Sequence, residues 1–543
     1  MPKRDFSITK PVNEQVLSYA PGTKERSELK RMLSELRDKV LEIPLVIGGQ
    51  PVKTGDLGEC RCPHERTHLL ARYHNACESD VNDAIESALS ARESWSNMEW
   101  SDRAAVFLKA AELLAGPHRQ RLNAATMLCH SKNVFQAEID AACELVDFWR
   151  FNVYYMRMVY DQQPDSAHGV VNRSQYRPLE GFVYAVSPFN FTAIGGNLPT
   201  APAIAGNVVV WKPASVAVYS NYFIMRILKE AGLPDGVINF IPGRSSEMGS
   251  VPLHHPQLAG LHFTGSTQTF HLMWRMIGEN IGNYRGYPRV VGETGGKNFV
   301  FVHRSADVDE VATAVVRGAF EFQGQKCSAA SRLYVPESVW QTLKNRLVKE
   351  VESIKMGVVE DFTNFVNALI DMAAFEKVKG YIEFAKASTE AEIIVGGGCD
   401  DSKGYFVEPT IIVTKNPRFR TMLEEIFGPV LTVYVYPDDR FEETLRLCDQ
   451  TPPYALTGSV FAKDRDAIDT AERILVNAAG NFYVNDKPTG AVVGQQPFGG
   501  ARLSGTNDKS GSVGHMLRWV SQRTMKENLA PPRDWRYPFM AEK

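Results

Sequence analysis

At 543 residues, with 44% hydrophobic and 23% charged side chains and a formal net charge of −3, the chain exceeds one ordinary domain and has the balance of a water-soluble globular protein. That balance offers no basic field for nucleic acid, and no run of about 18 or more apolar residues marks a membrane span. The eight cysteines are scattered without a secretory signal, which points to a reducing compartment and away from a disulfide framework. The one tight pair, Cys60-Arg61-Cys62, is spaced too closely for a zinc knuckle, so no metal is expected.

Residues 1–45 are polar and charged, contain a helix-like run from Thr23 to Val40, and read as an N-terminal arm ending before Pro44. The first ten residues mix basic side chains with Asp5 and Pro2 and lack the Arg-rich amphipathic pattern of a transit peptide. From about Val81 to Met158, apolar residues recur at helical spacing, as in Ala84, Ala88 and Ala91, predicting several helices. One stripe, Ala137, Ala141, Glu144, Phe148 and Phe151, sets a carboxylate on an otherwise apolar face. Such a glutamate is either paired internally or turned toward a ligand.

Phe182–Val186, Val208–Trp211, Val237–Ile241 and Leu261–Thr264 are short apolar runs separated by helix-length segments. This is the rhythm of a parallel βαβ sheet, so the fold class is α/β with a doubly wound nucleotide-binding domain. The three-glycine dinucleotide fingerprint is absent after the first of these strands. In its place, Phe263-Thr-Gly-Ser-Thr267 opens a helix from a strand end, where hydroxyls can cap the first turn and N–H groups can face a phosphate. Lys212 lies just past a strand, on the sheet edge where ligands bind in such folds.

Val290-Val-Gly-Glu293-Thr-Gly-Gly-Lys-Asn298 runs a strand into a glutamate flanked by glycines, which allow close approach of backbone and ligand. Gly324-Gln-Lys-Cys327-Ser-Ala-Ala-Ser-Arg332 puts a cysteine among small residues after the helix-like run Val311 to Phe322. Alone, Cys327 reads as a small buried thiol and Glu293 as a solvated loop carboxylate. Together with Ser187-Pro-Phe-Asn190-Phe191 they supply a nucleophile, a base and an amide donor for an oxyanion. A second set of strands and helices from about Phe299 to Tyr483 carries the cysteine. Neither Asp161–Glu180 nor the tail from about Thr506 can form a core of its own.

These motifs, in this order and over nearly the whole chain, resemble those of the aldehyde dehydrogenase superfamily. The resemblance implies that family's fold: a Rossmann-like NAD-binding domain at 46–160 and 180–298, an α/β catalytic domain at 299–505, and a small oligomerisation element at 161–179 and 506–543. It implies Cys327, Glu293 and Asn190 as catalytic residues, and Ser187, Lys212, Gly265, Ser266, Thr267, Glu425 and Phe427 as cofactor-binding ones. The segments Ser187–Ile194, Gly324–Arg332 and Thr489–Gly500 look most like the branch whose members oxidise L-glutamate γ-semialdehyde. For that substrate the matching positions are Glu144, Phe191, Ser328, Gly490, Ala491 and Phe498. NAD, a homodimer and the mitochondrial matrix follow from the same resemblance. Ser215 departs from it, standing where many NAD-specific relatives carry a glutamate. The alternatives are a dehydrogenase of another aldehyde and a non-catalytic protein on the same fold.

Overall fold

The computed structural model describes residues 8–244 and 248–542, so most of the first ten residues, Met1–Ser7, lie outside it. Helix α1 (Lys24–Arg37) buries Leu29, Leu33 and Leu36. It packs on α2 (Arg119–His130), which makes the expected arm part of the first core.

That core surrounds a seven-stranded sheet. Its members are β1 (Leu45–Ile47), β2 (Gln50–Val52), β3 (Phe182–Val186), β4 (Val208–Lys212), β5 (Ile238–Phe240), β6 (Leu258–Thr264) and β7 (Arg289–Glu293), in the spatial order β7-β6-β3-β4-β5-β1-β2. The five strands from β7 to β5 are parallel. The β1–β2 hairpin adds an antiparallel edge. All four strands predicted from the apolar runs are central members of this sheet. Every residue of β3, β4 and β6 is buried, as expected of strands covered by helices on both faces. At about 1.5–3 kcal/mol for each fully buried large apolar side chain, this packing dominates local stability.

The helical stretch before β3 is not uniform. A π turn at Glu138–Glu144 interrupts it before α3 (Leu145–Asp161). The predicted stripe therefore follows α-helical spacing only from Glu144 onward. Ala137, Ala141, Phe148 and Phe151 are nonetheless buried, while Glu144 is partly open. After β3, α4 (Thr192–Ile204) covers the sheet, and after β6, α5 (Thr267–Glu279) does so.

The second sheet holds β8 (Asn298–Val302), β9 (Ala330–Pro336), β10 (Ala391–Val395), β11 (Thr410–Thr414), β12 (Val430–Tyr436), β13 (Thr457–Phe461) and β14 (Asn481–Val484), in the order β10-β11-β12-β9-β8-β13-β14. Only β10 runs antiparallel to its neighbour. A separate two-stranded ribbon pairs Val170–Pro178 with Val520–Asn528.

Candidate active site

The cysteine loop is shaped by backbone strain that its surroundings over-determine. The helix expected to reach Phe322 ends at Phe320. Phe322, Gln323 and Gly324 then take φ values of 52°, 56° and 65°. Such a left-handed run is costly for the two non-glycine residues and persists only where contacts enforce it. They do so here: the Gln323 amide donates to the carbonyls of Ser131 and Ala368, and its oxygen accepts from Asn367 N–H. Gln325 accepts from Ile370 N–H. A Cβ at Gly324 would lie 2.3 Å from the Gly428 carbonyl oxygen, so only glycine fits. Asn298, at the start of β8, donates to the carbonyls of Cys327 and Ala329.

Cys327 is 7% exposed and lines a cavity of about 430 Å³. Its thiol donates to Glu293 Oε1 at 3.3 Å. Burial pushes the thiol well above its usual range, and the nearby Glu293 carboxylate adds to the shift. Both effects favour the thiol over the thiolate, so the attacking form needs a base beside it. Burial also raises Glu293 to about 7, against the opposing effects of the thiol and Lys509. A carboxyl poised there suits proton abstraction near neutral pH. Asn190 is buried, and its amide donates to the Gln325 carbonyl at 3.2 Å, which sets it against the cysteine loop.

Glu144, Phe191, Ser328, Gly490, Ala491 and Phe498 line the same cavity as Cys327. Ser328 shares a 2.7 Å hydroxyl pair with Thr489. Burial drives the Glu144 carboxyl well up, Asp140 adds to this, and Lys132 opposes it. Two cations that sequence reasoning passed over, Lys326 and Lys487, line the same cavity. Lys326 pairs with Glu321 at 3.0 Å, and Lys487 lies 3.9 Å from the same carboxylate. Burial alone would raise Glu321, yet the two lysines hold it below its ordinary value. Two cations over one anion leave an excess of positive charge beside the Gly490 loop. Lys326 sat inside the quoted cysteine motif, but nothing in the sequence indicated that Lys487 would converge on it.

The expected cofactor residues gather at the carboxyl edge of the first sheet, where ligands bind in open α/β folds. Lys212 ends β4 and is buried, which lowers it to about 8. Ser266 caps α5, its hydroxyl accepting from Thr269 N–H, and Thr267 is the first helical residue. Other N–H groups of that first turn have no intrahelical acceptor and can meet an anion. Gly265 N–H donates to the Glu293 carbonyl. Glu425 accepts from Gly296 N–H at 2.8 Å, and a Cβ at Gly295 would come 2.4 Å from its carboxylate. Phe427 takes φ 63° and sets its ring edge-on to Phe189 at 5.8 Å. The Ser187 hydroxyl is already engaged, accepting from Trp211 Nε1 and donating to the Gly195 carbonyl. Sequence reasoning also missed Lys297, buried next to Gly296 and lowered to about 7 by burial, with Arg332 adding to the shift.

A family model described as "Aldehyde dehydrogenase family" matches residues 53–524. The chain belongs to the aldehyde dehydrogenase family. This aldehyde dehydrogenase is 52% identical over 539 residues to the mitochondrial delta-1-pyrroline-5-carboxylate dehydrogenase of Dictyostelium discoideum, covering 99% of this chain and 97% of that one. It is 50% identical over 535 residues to the human mitochondrial enzyme of the same name, covering 98% and 95%. The structure of the delta-pyrroline-5-carboxylate dehydrogenase of Mycobacterium tuberculosis bound with NAD superposes with a TM-score of 0.95, at 50% identity over 99% of this chain and 100% of that one. In this aldehyde dehydrogenase, Glu293 ends β7 of the first sheet and Cys327 lies between β8 and β9 of the second, so their contact joins the two sheets.

Proposed function

We propose that the protein oxidises L-glutamate γ-semialdehyde, the open form of 1-pyrroline-5-carboxylate, to L-glutamate with NAD. The observation that carries this reading is the Cys327–Glu293 contact in a cavity whose lining also includes Lys326, Lys487 and Glu144. The Cys327 thiol passes its proton to Glu293 and the sulfur attacks the aldehyde carbon. The Asn190 amide and the Cys327 N–H stabilise the oxyanion. The Ser266–Thr267 helix terminus and Glu425 would hold NAD, which would supply the hydride acceptor. Once it has released the cysteine proton to solvent, Glu293 takes a proton from the water that hydrolyses the Cys327 thioester. Gly490 and Ala491 N–H groups and the Ser328 hydroxyl receive the substrate carboxylate, aided by Lys326 and Lys487. Glu144, whose carboxyl burial drives up, meets the substrate ammonium, which supplies the partner that a desolvated charge needs.

NADH formation with 1-pyrroline-5-carboxylate, beside succinic semialdehyde and propanal, tests the reading, with Cys327→Ala as control. Preference for the first, abolished in the control, supports it; activity only on the others discards the substrate. In the ribbon of Val170–Pro178 and Val520–Asn528 only Tyr176 and Val520 are buried, which supports a homodimer in which a second copy covers it. The mitochondrial names of several relatives support a place in the matrix.

A further inference from the structure

Residues 8–23 have no regular secondary structure, yet they are fastened along their length. Asn13 is where three parts of the chain meet. Its Nδ2 donates to Asp147 Oδ2 at 2.8 Å and to the Val493 carbonyl at 2.7 Å, and its Oδ1 accepts from Gln495 Nε2 at 2.9 Å. The other Asp147 oxygen accepts from Glu14 N–H at 2.8 Å. The Glu14 carboxylate pairs with Arg119 and Arg150, each at 2.7 Å. Further along, Leu17 N–H and the Tyr19 hydroxyl both donate to Glu138.

Val493 and Gln495 belong to the loop that carries Gly490 and Ala491. Asp147 lies on α3, three residues after Glu144 and on the same side of the helix. The loop also meets α3 directly at Gly494, whose φ is 82° and where a Cβ would lie 2.3 Å from the Phe151 ring. Val493 is also buried in the first core, and Asn13 adds a polar tie between this loop and α3. Asn13, Asp147, Glu144 and Ala491 all border the cavity that holds Cys327.

We propose that Asn13 is a positioning residue: by tying Val493 and Gln495 to Asp147, it fixes the span between the Gly490–Ala491 amides and the Glu144 carboxyl. That span suits an amino-acid aldehyde, charged at the end remote from the reacting carbon, over short uncharged aldehydes. The inference rests on the semialdehyde reading above.

The test uses full-length Asn13→Ala. Losing these hydrogen bonds should raise KM for the semialdehyde about tenfold, the effect of roughly one net hydrogen bond. The kcat should stay within about twofold, and both constants for propanal, which does not reach the loop, should be unaltered. Amide hydrogen exchange across 489–496 should quicken. Asn13→Asp should be worse, because two carboxylates then face each other; adding Asp147→Asn should bring KM part of the way back, since Asn at 147 and Gln495 can both donate to Asp at 13 while the Val493 carbonyl stays without its donor. Equal loss on both aldehydes, a fall in kcat alone, or no rescue by the swap overturns the proposal. If the wild type oxidises propanal but not the semialdehyde, the substrate reading fails, and loop exchange decides about Asn13: unchanged exchange in Asn13→Ala overturns the clasp, and faster exchange upholds it.

Discussion

Cys327 Sγ and Glu293 Oε1 stand 3.3 Å apart and share one proton before any substrate arrives. The nucleophile and the base of the proposed reaction are thus coupled, and their coupling sets the pH behaviour.

With Glu293 raised to about 7, its basic form is present above that pH and lost below it. The kcat should fall about tenfold per pH unit on the acid side of a limb near pH 7. The same shift acts on stability. Between the ordinary value of 4.5 and about 7, the folded state keeps a proton that the unfolded chain has released. The stabilising contribution is therefore complete below 4.5 and disappears as pH rises through about 7. Glu293→Gln should remove both the kinetic limb and this slope in urea midpoint against pH.

Asn190→Ala should lower kcat by about 10² to 10³, the usual effect of removing one oxyanion donor, while the melting temperature changes little. An unaltered kcat would take Asn190 out of the mechanism.

Lys132 and Asp140 form a fully buried ion pair at 2.7 Å. Asp140 also accepts from the N–H groups of Thr192 and Ala193, and the Lys132 ammonium sits 4.2 Å above the Phe191 ring. The pair therefore holds the segment that carries Asn190. Lys132→Met should destabilise by about 3–5 kcal/mol, because Asp140 is left buried without its cation. Lys132→Met combined with Asp140→Asn should cost less than the two single changes added together, measured as melting temperature at one scan rate.

Gly324→Ala places a methyl group against the Gly428 carbonyl and at a positive φ. A backbone oxygen cannot swing aside as a flexible side chain can, so the cysteine loop must shift. A stability loss of at least about 1–3 kcal/mol is expected. Faster alkylation of Cys327 by iodoacetamide would report the displaced loop, and unchanged alkylation and stability would contradict this account.

The four parallel strands and the Cys327, Glu293 and Asn190 motifs were legible because each couples local pattern to chemistry. Apolar runs are what a doubly covered strand requires, and glycines next to a reactive group mark close backbone approach. Other parts were hidden for physical reasons. Strand β1 joins the sheet as Leu45–Ile47, only three residues long and far in sequence from β5, its neighbour. The left-handed turn at Phe322 and Gln323 runs against the preferences of both residues and is imposed by distant carbonyls. Lys487 reaches Glu321, and Asn13 reaches Gln495, across sequence separations that erase any local signal. The arm looked peripheral because polar composition records solvent contact and not the hydrogen bonds that polar groups make inside.

The π turn at Glu138–Glu144 has a consequence for how this chain tolerates changes in length. A π turn spans more residues than an α turn, so removing one residue from it lets the segment relax into an ordinary helix, whereas the same deletion in α3 rotates everything beyond it by about 100°. One-residue deletions scanned through residues 134–161 should thus show a window of survival confined to the π turn. Inside that window the protein should still fold where the deletion falls after Asp140, so that Glu138 and Asp140 stay in their buried pairings while the face bearing Phe148 and Phe151 keeps its register.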